Sequence, residues 1–278
     1  MAVRAFVLFV TVLLVAGCTP PRQPPVPKDG LLDLTDWDFN RDGPVALKGE
    51  WDFYWHRVLQ PSDFASPNPP EKTGQLHVPG IWRGVMHEGE PLPAHGFVTL
   101  RLRVLVRQPD MVFGIKLNCV GMSYQLFTNG RLAATNGQVG RSRAETMPKC
   151  LPLVASGFAD SGKVEVILQI ANFHERHGGV WDPITLGTVP QITDVVQHAL
   201  FLDQVPLGII GFMSLYHFLL FLLRRRDRST LVFGLFCAMI CLRISLLGER
   251  ISVDRFPGLP WALVATLEYL TIVIAAFL

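Results

Sequence analysis

Residues 199–248 read ALFLDQVPLGIIGFMSLYHFLLFLL (199–223), RRRDRS (224–229) and TLVFGLFCAMICLRISLLG (230–248). Two apolar runs thus flank a short basic loop. A helix that crosses the ~30 Å hydrocarbon core of a bilayer needs about 20 apolar residues, and each run is about that long. Short loops rich in Arg stay on the cytoplasmic side of a membrane. We therefore predict two transmembrane helices joined in the cytoplasm, with everything before Ala199 across the membrane.

A third apolar run occupies residues 261–278 and predicts a third transmembrane helix. No charged flank closes this run, so we expect the sequence to be part of a longer chain. Two charged residues inside the runs, Arg243 and Glu268, lie at ~8 Å and ~10 Å of helix rise from the same outer face. Because charges inside a membrane need partners, we predict an ion pair between Arg243 and Glu268.

Composition restricts the classes of partner. The 278 residues are 49% hydrophobic and carry a formal net charge of +2. The sequence shows no basic stripe with interleaved aromatic residues, so we predict no nucleic-acid partner. It also shows no Gly-rich phosphate loop, Ser-His-Asp set or well-supported carboxylate pair. We therefore predict no enzyme activity, no cofactor and no metal.

The first 18 residues, MAVRAFVLFVTVLLVAGC, have the layout of an export signal. Arg4 precedes an apolar segment of the length typical of a secretory signal peptide. The segment ends in Val15-Ala16-Gly17-Cys18, which resembles the lipobox of bacterial lipoproteins. This resemblance implies that Cys18 is acylated and anchors the chain in membrane lipid. The alternative is an ordinary signal peptide that contains a Cys. Residues 19–30 are Pro-rich and predict a linker.

Residues 31–190 predict an all-β domain built as an antiparallel sandwich. Residues 98–106 (VTLRLRVLV) alternate between apolar and polar side chains, as a half-buried strand does. Residues 112–117, 124–128 and 164–171 are further predicted strands. No long segment with a helical period separates them.

Asn129-Gly130 is a hairpin turn signal within this domain. Cys119 and Cys150 also lie in it. Because we place the domain outside the cytoplasm, a disulfide between them is permitted. The sequence leaves open whether they are bonded, since bonding depends on geometry.

Three motifs of the domain follow one another as LKGEWDF (47–53), VPGIW (78–82) and YQLFTNG (124–130). They resemble the sugar-binding jelly roll of family-two glycoside hydrolases. This resemblance implies a jelly-roll fold. It does not imply hydrolase activity, because those enzymes carry their catalytic carboxylates in a later barrel domain, and membrane helices take that place here.

A wider set of motifs runs from the β domain into the helices. In order, it consists of DWDF (36–39), GEWDFYW (49–55), NGQVG (136–140), NFHERHGG (172–179), LYH (215–217), the Arg-rich loop and FGL (233–235). Together these resemble the bacterial seven-transmembrane receptors with diverse intracellular signalling modules. The resemblance implies seven helices followed by a cytoplasmic output module, such as a histidine kinase, a nucleotide or diguanylate cyclase, or a phosphatase. Three of those helices, and no output module, fall within this sequence.

Two tryptophans of the β domain are candidate ligand contacts. Trp82 and Trp181 lie beside turn residues, where an aromatic face can stack on a sugar ring. The alternative is core packing. We predict core packing for Trp51, Phe53 and Trp55, since alternation places all three on one face of a strand.

Four polar side chains are further candidates. Arg141 and Arg143 lie in a Gly-rich polar loop and could bind a carboxylate or sulfate, unless the loop is a solvated hairpin. His174 and Arg176 follow a strand and could line a ligand cleft. The alternative for this pair is a hydrogen-bonded turn that ends in Gly178-Gly179.

These observations predict a multi-pass receptor of the bacterial inner membrane. Its jelly-roll domain would lie in the periplasm, bind a small molecule such as a carbohydrate, and act on a cytoplasmic signalling module through a helix bundle. The alternative from another class is a lipid-anchored accessory or structural binding module without signalling output. A surface glycosidase is a weaker third interpretation, since no catalytic acid and nucleophile pair stands out.

Overall fold

The computed structural model describes residues 22–256 and 258–277 and shows a β-rich domain followed by apolar helices. This confirms the predicted fold class of a β-sandwich joined to a helical membrane region. The predicted signal peptide and Cys18 lie outside the described residues. The strands are β1 Leu31–Leu34, β2 Val45–Ala46, β3 Gly49–Trp55, β4 Gly74–Val78, β5 Gly80–Ile81, β6 Met86–His87, β7 Glu90–Pro91, β8 Gly96–Val106, β9 Val112–Leu117, β10 Ser123–Thr128, β11 Arg131–Asn136, β12 Leu153–Phe158, β13 Lys163–Asn172, β14 Gly179–Val180 and β15 Thr185–Thr188.

The larger sheet of the domain has seven strands. Its order is β11-β10-β13-β8-β3-β4 with antiparallel neighbours, and β1 pairs in parallel with β8. The four strands predicted from the sequence correspond to β8, β9, β10 and β13. Asn129 and Gly130 connect β10 to β11, and both have positive φ, as the favoured two-residue hairpin turn requires.

The smaller sheet has the order β12-β9-β15-β2 and packs on the larger one. Trp51 and Phe53 of the larger sheet and Phe113 of the smaller sheet belong to the same buried core, which confirms the core stripe predicted for β3. Because Phe113 and its alternate neighbours along β9 face this core, Gly114 and Lys116 point to the outer face of the sheet. That outer face contacts the helices.

Two one-turn helices lie in the β domain, and the other helices follow it. They are α1 Phe39–Asp42, α2 Pro61–Phe64, α3 Val189–Leu223, α4 Arg228–Leu246, α5 Ile251–Arg255 and α6 Trp261–Phe277. Among the described helices, α3 and α4 are long and apolar enough to cross a membrane, and α6 is a shorter apolar helix of 17 residues. Helices α3, α4 and α6 therefore correspond to the three apolar runs.

Helix α3 begins at Val189, well before the apolar run that starts at Ala199. The reason is a capping box. The Thr188 hydroxyl accepts a hydrogen bond from the Gln191 backbone, and the Gln191 side chain accepts one from the Thr188 N–H. Since Thr188 is also the last residue of β15, the sandwich continues into the first membrane helix without a linker.

Helices α3 and α4 form an antiparallel hairpin. The Ser214 hydroxyl donates to the Gly234 carbonyl oxygen at 2.9 Å, and both residues are buried. Close approach of this kind, at small residues, is typical of helix pairs in membranes. Large apolar side chains of α3 such as Phe201, Ile209 and Phe212 point outward, as expected for contact with lipid tails.

The end of the predicted linker packs on the domain instead of spacing it from a surface. Pro27 is buried, and its carbonyl oxygen accepts a hydrogen bond from the Glu50 N–H at 3.1 Å. The Arg22 guanidinium donates to the Asp36 carbonyl oxygen at 2.9 Å. Residues 22–30 are therefore part of the folded unit, because β3 supplies partners for their backbone.

Candidate functional site

The β domain meets the helices over one surface, which we call the seam. Its domain side comprises the outer face of β9 and the loops at 137–151 and 173–182. Its helix side comprises the first turns of α3, the segment 246–256 and the first half of α6. Any change in the domain that reaches the helices must cross these contacts or the covalent joint at Thr188.

Strand β9 holds the helices through Gly114 and Lys116. A Cβ on Gly114 would lie 3.0 Å from a side-chain carbon of Ile192, so the strand and the start of α3 are in direct contact. The Lys116 ammonium forms an ion pair with the Glu249 carboxylate, and their side chains are only 8% and 11% exposed. The Glu249 N–H in turn donates to the Asp203 carboxylate on α3 at 2.8 Å. One polar chain thus connects β9, the end of α4 and α3.

An apolar cluster continues the seam beside this polar chain. Leu151 of the domain packs with Leu246 at the end of α4, Val253 of α5 and Val264 of α6. All four side chains are nearly or fully buried. The hydrophobic effect therefore favours the docked arrangement of the domain on the helices.

Arg243 reaches Glu268, but not through the carboxylate as the sequence suggested. The Arg243 guanidinium donates to the backbone carbonyl oxygen of Glu268 at 2.8 Å. The Glu268 carboxylate lies 2.8 Å from the guanidinium of Arg250. Arg250 is a loop residue with positive φ that turns back over α6, where its guanidinium also lies over the Trp261 ring. The sequence prediction compared only the depths of Arg243 and Glu268 along their helices, so it could not identify Arg250, which lies in the loop between them.

Two neighbouring cavities open along the seam. The first, which we call the apolar cavity, has a volume of about 520 Å³ and lies between loop 146–150 with His174 and the residues 253–264. The second, the polar cavity, has a volume of about 350 Å³. Its lining consists of Ile81, Glu175, His177, Trp181, Arg250, Trp261, Glu268 and Tyr269. Trp261 lines both cavities, so they are adjacent.

The seam brings together two of the predicted ligand residues, His174 and Trp181. His174 lines the apolar cavity, and its buried Nδ1 has no hydrogen-bond partner in the described part of the chain. Burial, with the charges of Arg143 and His95 nearby, lowers the pKa of the His174 imidazole, so the neutral form is favoured. Trp181 lines the polar cavity and donates from Nε1 to the His177 carbonyl oxygen at 2.9 Å.

The three predicted arginines stand apart from these cavities. The side chains of Arg141, Arg143 and Arg176 are exposed and line neither of them. The Arg141 N–H donates to the Glu145 carboxylate, and both arginine side chains are exposed, which agrees with the solvated hairpin named as the alternative for this loop. Arg143 still acts on the site through its charge at His174.

Trp82 is a core residue and not an accessible ligand contact, contrary to the prediction. Its side chain is 0% exposed, and its Nε1 donates to the Ala94 carbonyl oxygen at 3.2 Å. The chain at Gly178 covers the ring so closely that a Cβ there would lie 1.9 Å from it. Turn residues around Trp82 suggested exposure, but the turn directs the ring inward.

Cys119 and Cys150 form a disulfide with a Cα–Cα distance of 5.1 Å. This distance lies within the usual range for bonded cysteines. The bond fastens the end of β9 to the loop that leads to Leu151, and Cys150 lines the apolar cavity. It therefore holds one wall of the candidate site.

Another cavity lies on the outer face of the larger sheet and has about the same volume, 540 Å³. Two of its charged groups are already paired, since the Arg101 guanidinium and the Glu165 carboxylate are 2.5 Å apart. Its lining includes no residue of the helices α3, α4, α5 and α6. Within residues 22–256 and 258–277, no cluster of three or more His, Cys, Asp or Glu could hold a metal ion.

Comparison with known proteins identifies the helical part. Residues 200–278 match the model of the family described as 7TM diverse intracellular signalling. The helical segment is therefore similar to the membrane part of the receptors in this family. This match agrees with the resemblance drawn from the motifs within the helices, LYH (215–217) and FGL (233–235). Together with the apolar helices α3 and α4, this match supports a membrane protein that is similar to signalling receptors in its helical part.

Solved structures resemble the β domain of this chain only in part. A β-glucuronidase from an uncultured Clostridium sp. is 15% identical with a TM-score of 0.39, and the match covers 52% of this chain and 29% of that enzyme. A Ruminococcus gnavus β-glucuronidase is 11% identical with a TM-score of 0.40, and the match covers 51% of this chain and 28% of that enzyme. A β-galacturonidase from Eisenbergiella tayi is 11% identical with a TM-score of 0.36, and the match covers 52% of this chain and 24% of that enzyme. The matched region thus spans less than a third of each enzyme. No curated protein matches the sequence.

Proposed function

We propose that this chain is the sensing part of a receptor whose β domain lies in the periplasm, binds a small ligand and acts on a cytoplasmic output module through its helices. Carbohydrate is the ligand class that the motif resemblance implies. The observation that carries the proposal is the direct attachment of the sandwich to two membrane helices. Strand β15 runs into α3 through the Thr188 cap, and β9 holds the end of α4 through Lys116 and Glu249.

This attachment provides a route for a signal. Glu249 contacts both Lys116 of the domain and Asp203 of α3, so a shift of β9 changes how the end of α4 sits on α3. A ligand drives such a shift only if it binds one arrangement of the domain and helices better than another. A ligand site at the seam can distinguish two such arrangements, because its walls come from both the β domain and the helices.

The basic loop supports the proposed sidedness. Arg224, Arg225, Arg226 and Arg228 lie at or beside the turn between α3 and α4, at the end of the hairpin away from the β domain. Arginines in a short loop remain in the cytoplasm, which leaves the domain in the periplasm.

A pair of reporter fusions tests this arrangement. Alkaline phosphatase fused after Pro190 is expected to be active, since it folds only in the periplasm, and the same enzyme fused after Ser229 is expected to be inactive. A cytosolic β-galactosidase at the same two positions should give the opposite pattern. Activity of the phosphatase only at Ser229 would reverse the sidedness and remove the sensor function.

Coupling is tested with spin labels on the full chain in nanodiscs. Labels at Val112 on β9 and Ser229 in the basic loop report the distance between the domain and the far end of the hairpin. A panel of soluble glycans should change this distance distribution, and the change should be lost in Lys116→Met. Glycan binding that leaves the distances unchanged in the native chain would contradict coupling through the seam.

A further inference from the structure

We infer that the apolar and polar cavities of the seam form one site for an amphipathic glycoside, with the polyol head in the polar cavity and the apolar tail in the apolar cavity. This inference rests on the proposed receptor function and specifies its ligand. It places the ligand between the sandwich and the helices instead of on the sandwich alone.

The polar cavity contains a buried ion pair, Arg250 with Glu268, whose two contacting atoms do not form a hydrogen bond of good geometry. The Arg250 side chain is buried, and neither its Nη1 nor the Glu268 Oε1 makes a hydrogen bond within the described part of the chain, although the two atoms lie 2.8 Å apart as an ion pair. Leaving buried polar atoms without hydrogen bonds is costly. A ligand hydroxyl both accepts and donates, so neighbouring hydroxyls of a polyol can satisfy both groups at once.

Aromatic rings surround this ion pair. Trp181, Trp261 and Tyr269 line the polar cavity together with Glu175. Ring faces provide apolar contact for the C–H faces of a sugar, while carboxylates accept from its hydroxyls. The carboxylates of Glu175 and Glu268 face the single guanidinium of Arg250 among the lining side chains, which disfavours an anionic head and suits an uncharged polyol.

The apolar cavity provides the place for a tail. Its helix wall consists of apolar side chains, including Val253, Leu259 and Val264, and its volume of about 520 Å³ lies in the range of small-molecule sites. Met147 lines it from the domain side with 62% of its surface exposed. Trp261 lines both cavities and begins α6, so a single molecule can place its head beside this residue in the polar cavity and its tail in the apolar cavity.

The location also suits a ligand that partitions into a membrane. Glu268 lies about 10 Å of helix rise beyond Trp261 in an apolar helix, and charged groups at such a depth need polar partners. A glycoside can reach the site from water or from the outer leaflet, because the chemistry that the site recognises is the same for both sources.

The test uses the full chain in nanodiscs and an octyl glucoside that carries a photoreactive diazirine in its tail. Added from water or incorporated in the bilayer, the probe is expected to label residues 147–150 and 259–264, as located by mass spectrometry. An excess of plain octyl glucoside should suppress this labelling about tenfold, and equal concentrations of glucose or octanol should suppress it much less. The route that gives labelling identifies the source of the ligand.

Two variants make the result specific. Ala262→Trp fills the apolar cavity from an exposed position of α6 and should reduce the labelling about tenfold without altering thermal unfolding of the chain. Tyr216→Ala changes an exposed aromatic residue of α3 far from the seam and should leave labelling unchanged. Labelling spread along lipid-facing α3, or equal labelling in Ala262→Trp, would overturn the site. Such a result leaves the receptor function intact, because the reporter fusions and the spin labels test that function without this probe.

Discussion

Lys116 on β9 and Glu249 after α4 form a buried ion pair although 133 positions separate them in the chain. Both side chains are almost withdrawn from water, and Glu249 is also fixed by the Asp203 carboxylate on α3. This pair therefore joins the β domain to both helices of the membrane hairpin.

Removing only one partner of this pair should be costly. We expect Lys116→Met to lower the free energy of unfolding by about 3–5 kcal/mol, because Glu249 then stays buried without a cation. The double change Lys116→Met with Glu249→Leu should recover most of the loss, since no uncompensated charge remains. Thermal denaturation in nanodiscs measures both. Lys48→Met, at an exposed lysine of the same domain, is the control and should be neutral.

The carboxylate of Glu268 should depend on Arg250 and not on Arg243. Arg250→Glu and Glu268→Arg should each destabilise the chain, and the two together should restore stability because the ion pair re-forms with its charges exchanged. The exchange of Arg243 with Glu268 should give no such rescue, since Arg243 contacts only the backbone oxygen of Glu268. Rescue by Arg243 in thermal denaturation, and not by Arg250, would show that the ion pair in the structure is wrong.

The sequence predicted those parts of the fold that depend on local patterns. Alternation located β8, short apolar segments bounded by turn residues located β9, β10 and β13, the Asn129-Gly130 pair located a hairpin, and apolar runs located α3, α4 and α6. Each of these signals lies within one segment of the chain. The start of α3 was missed because Thr188 and Gln191 form a cap that apolarity does not report.

The candidate site was harder to predict, because its walls come from distant segments. His174 and Trp181 were found through their residue types, but Lys116, Glu249 and Arg250 were not. One signal was available: Lys116 interrupts an otherwise apolar strand on the face opposite Phe113 and Ile115, which indicates a partner outside the sandwich. That partner could not be named without the fold.

Acid should lower the stability of the folded chain, in part because His174 becomes protonated. Burial, together with the nearby charges of Arg143 and His95, lowers the pKa of His174, so the unfolded chain takes up its proton first as the pH falls. Its contribution to stability is therefore present above the usual histidine pKa of about 6.5 and is lost as the pH drops below that value. Denaturation series between pH 8 and pH 5 should show a fall that is smaller in His174→Asn.

The fall in stability with acid that remains in His174→Asn also has an identified source. Burial also lowers the pKa of His56, so His174→Asn should reduce the acid effect without abolishing it. Arg143→Gln removes one of the charges that disfavour protonated His174 and should give an intermediate profile. Superimposable profiles for the native chain and His174→Asn would contradict the buried, neutral state of His174.

The close approach of β9 to α3 should not tolerate a side chain at Gly114. A Cβ there would lie 3.0 Å from Ile192, so Gly114→Val should separate the strand from the helix and cost about 1–3 kcal/mol. Adding Ile192→Ala opens the space again and should recover part of that loss, as measured by thermal denaturation. Gly74→Val is the matched control in β4, since nothing lies within 4 Å of a Cβ at that position.

Because Gly114 and Lys116 share one face of β9, Gly114→Val should also increase the solvent access of the Lys116 amine, measured by acetylation rate. Unchanged access with unchanged stability would mean that β9 does not press on α3, and the domain would then be joined to the helices only through Thr188 and the segment after α4.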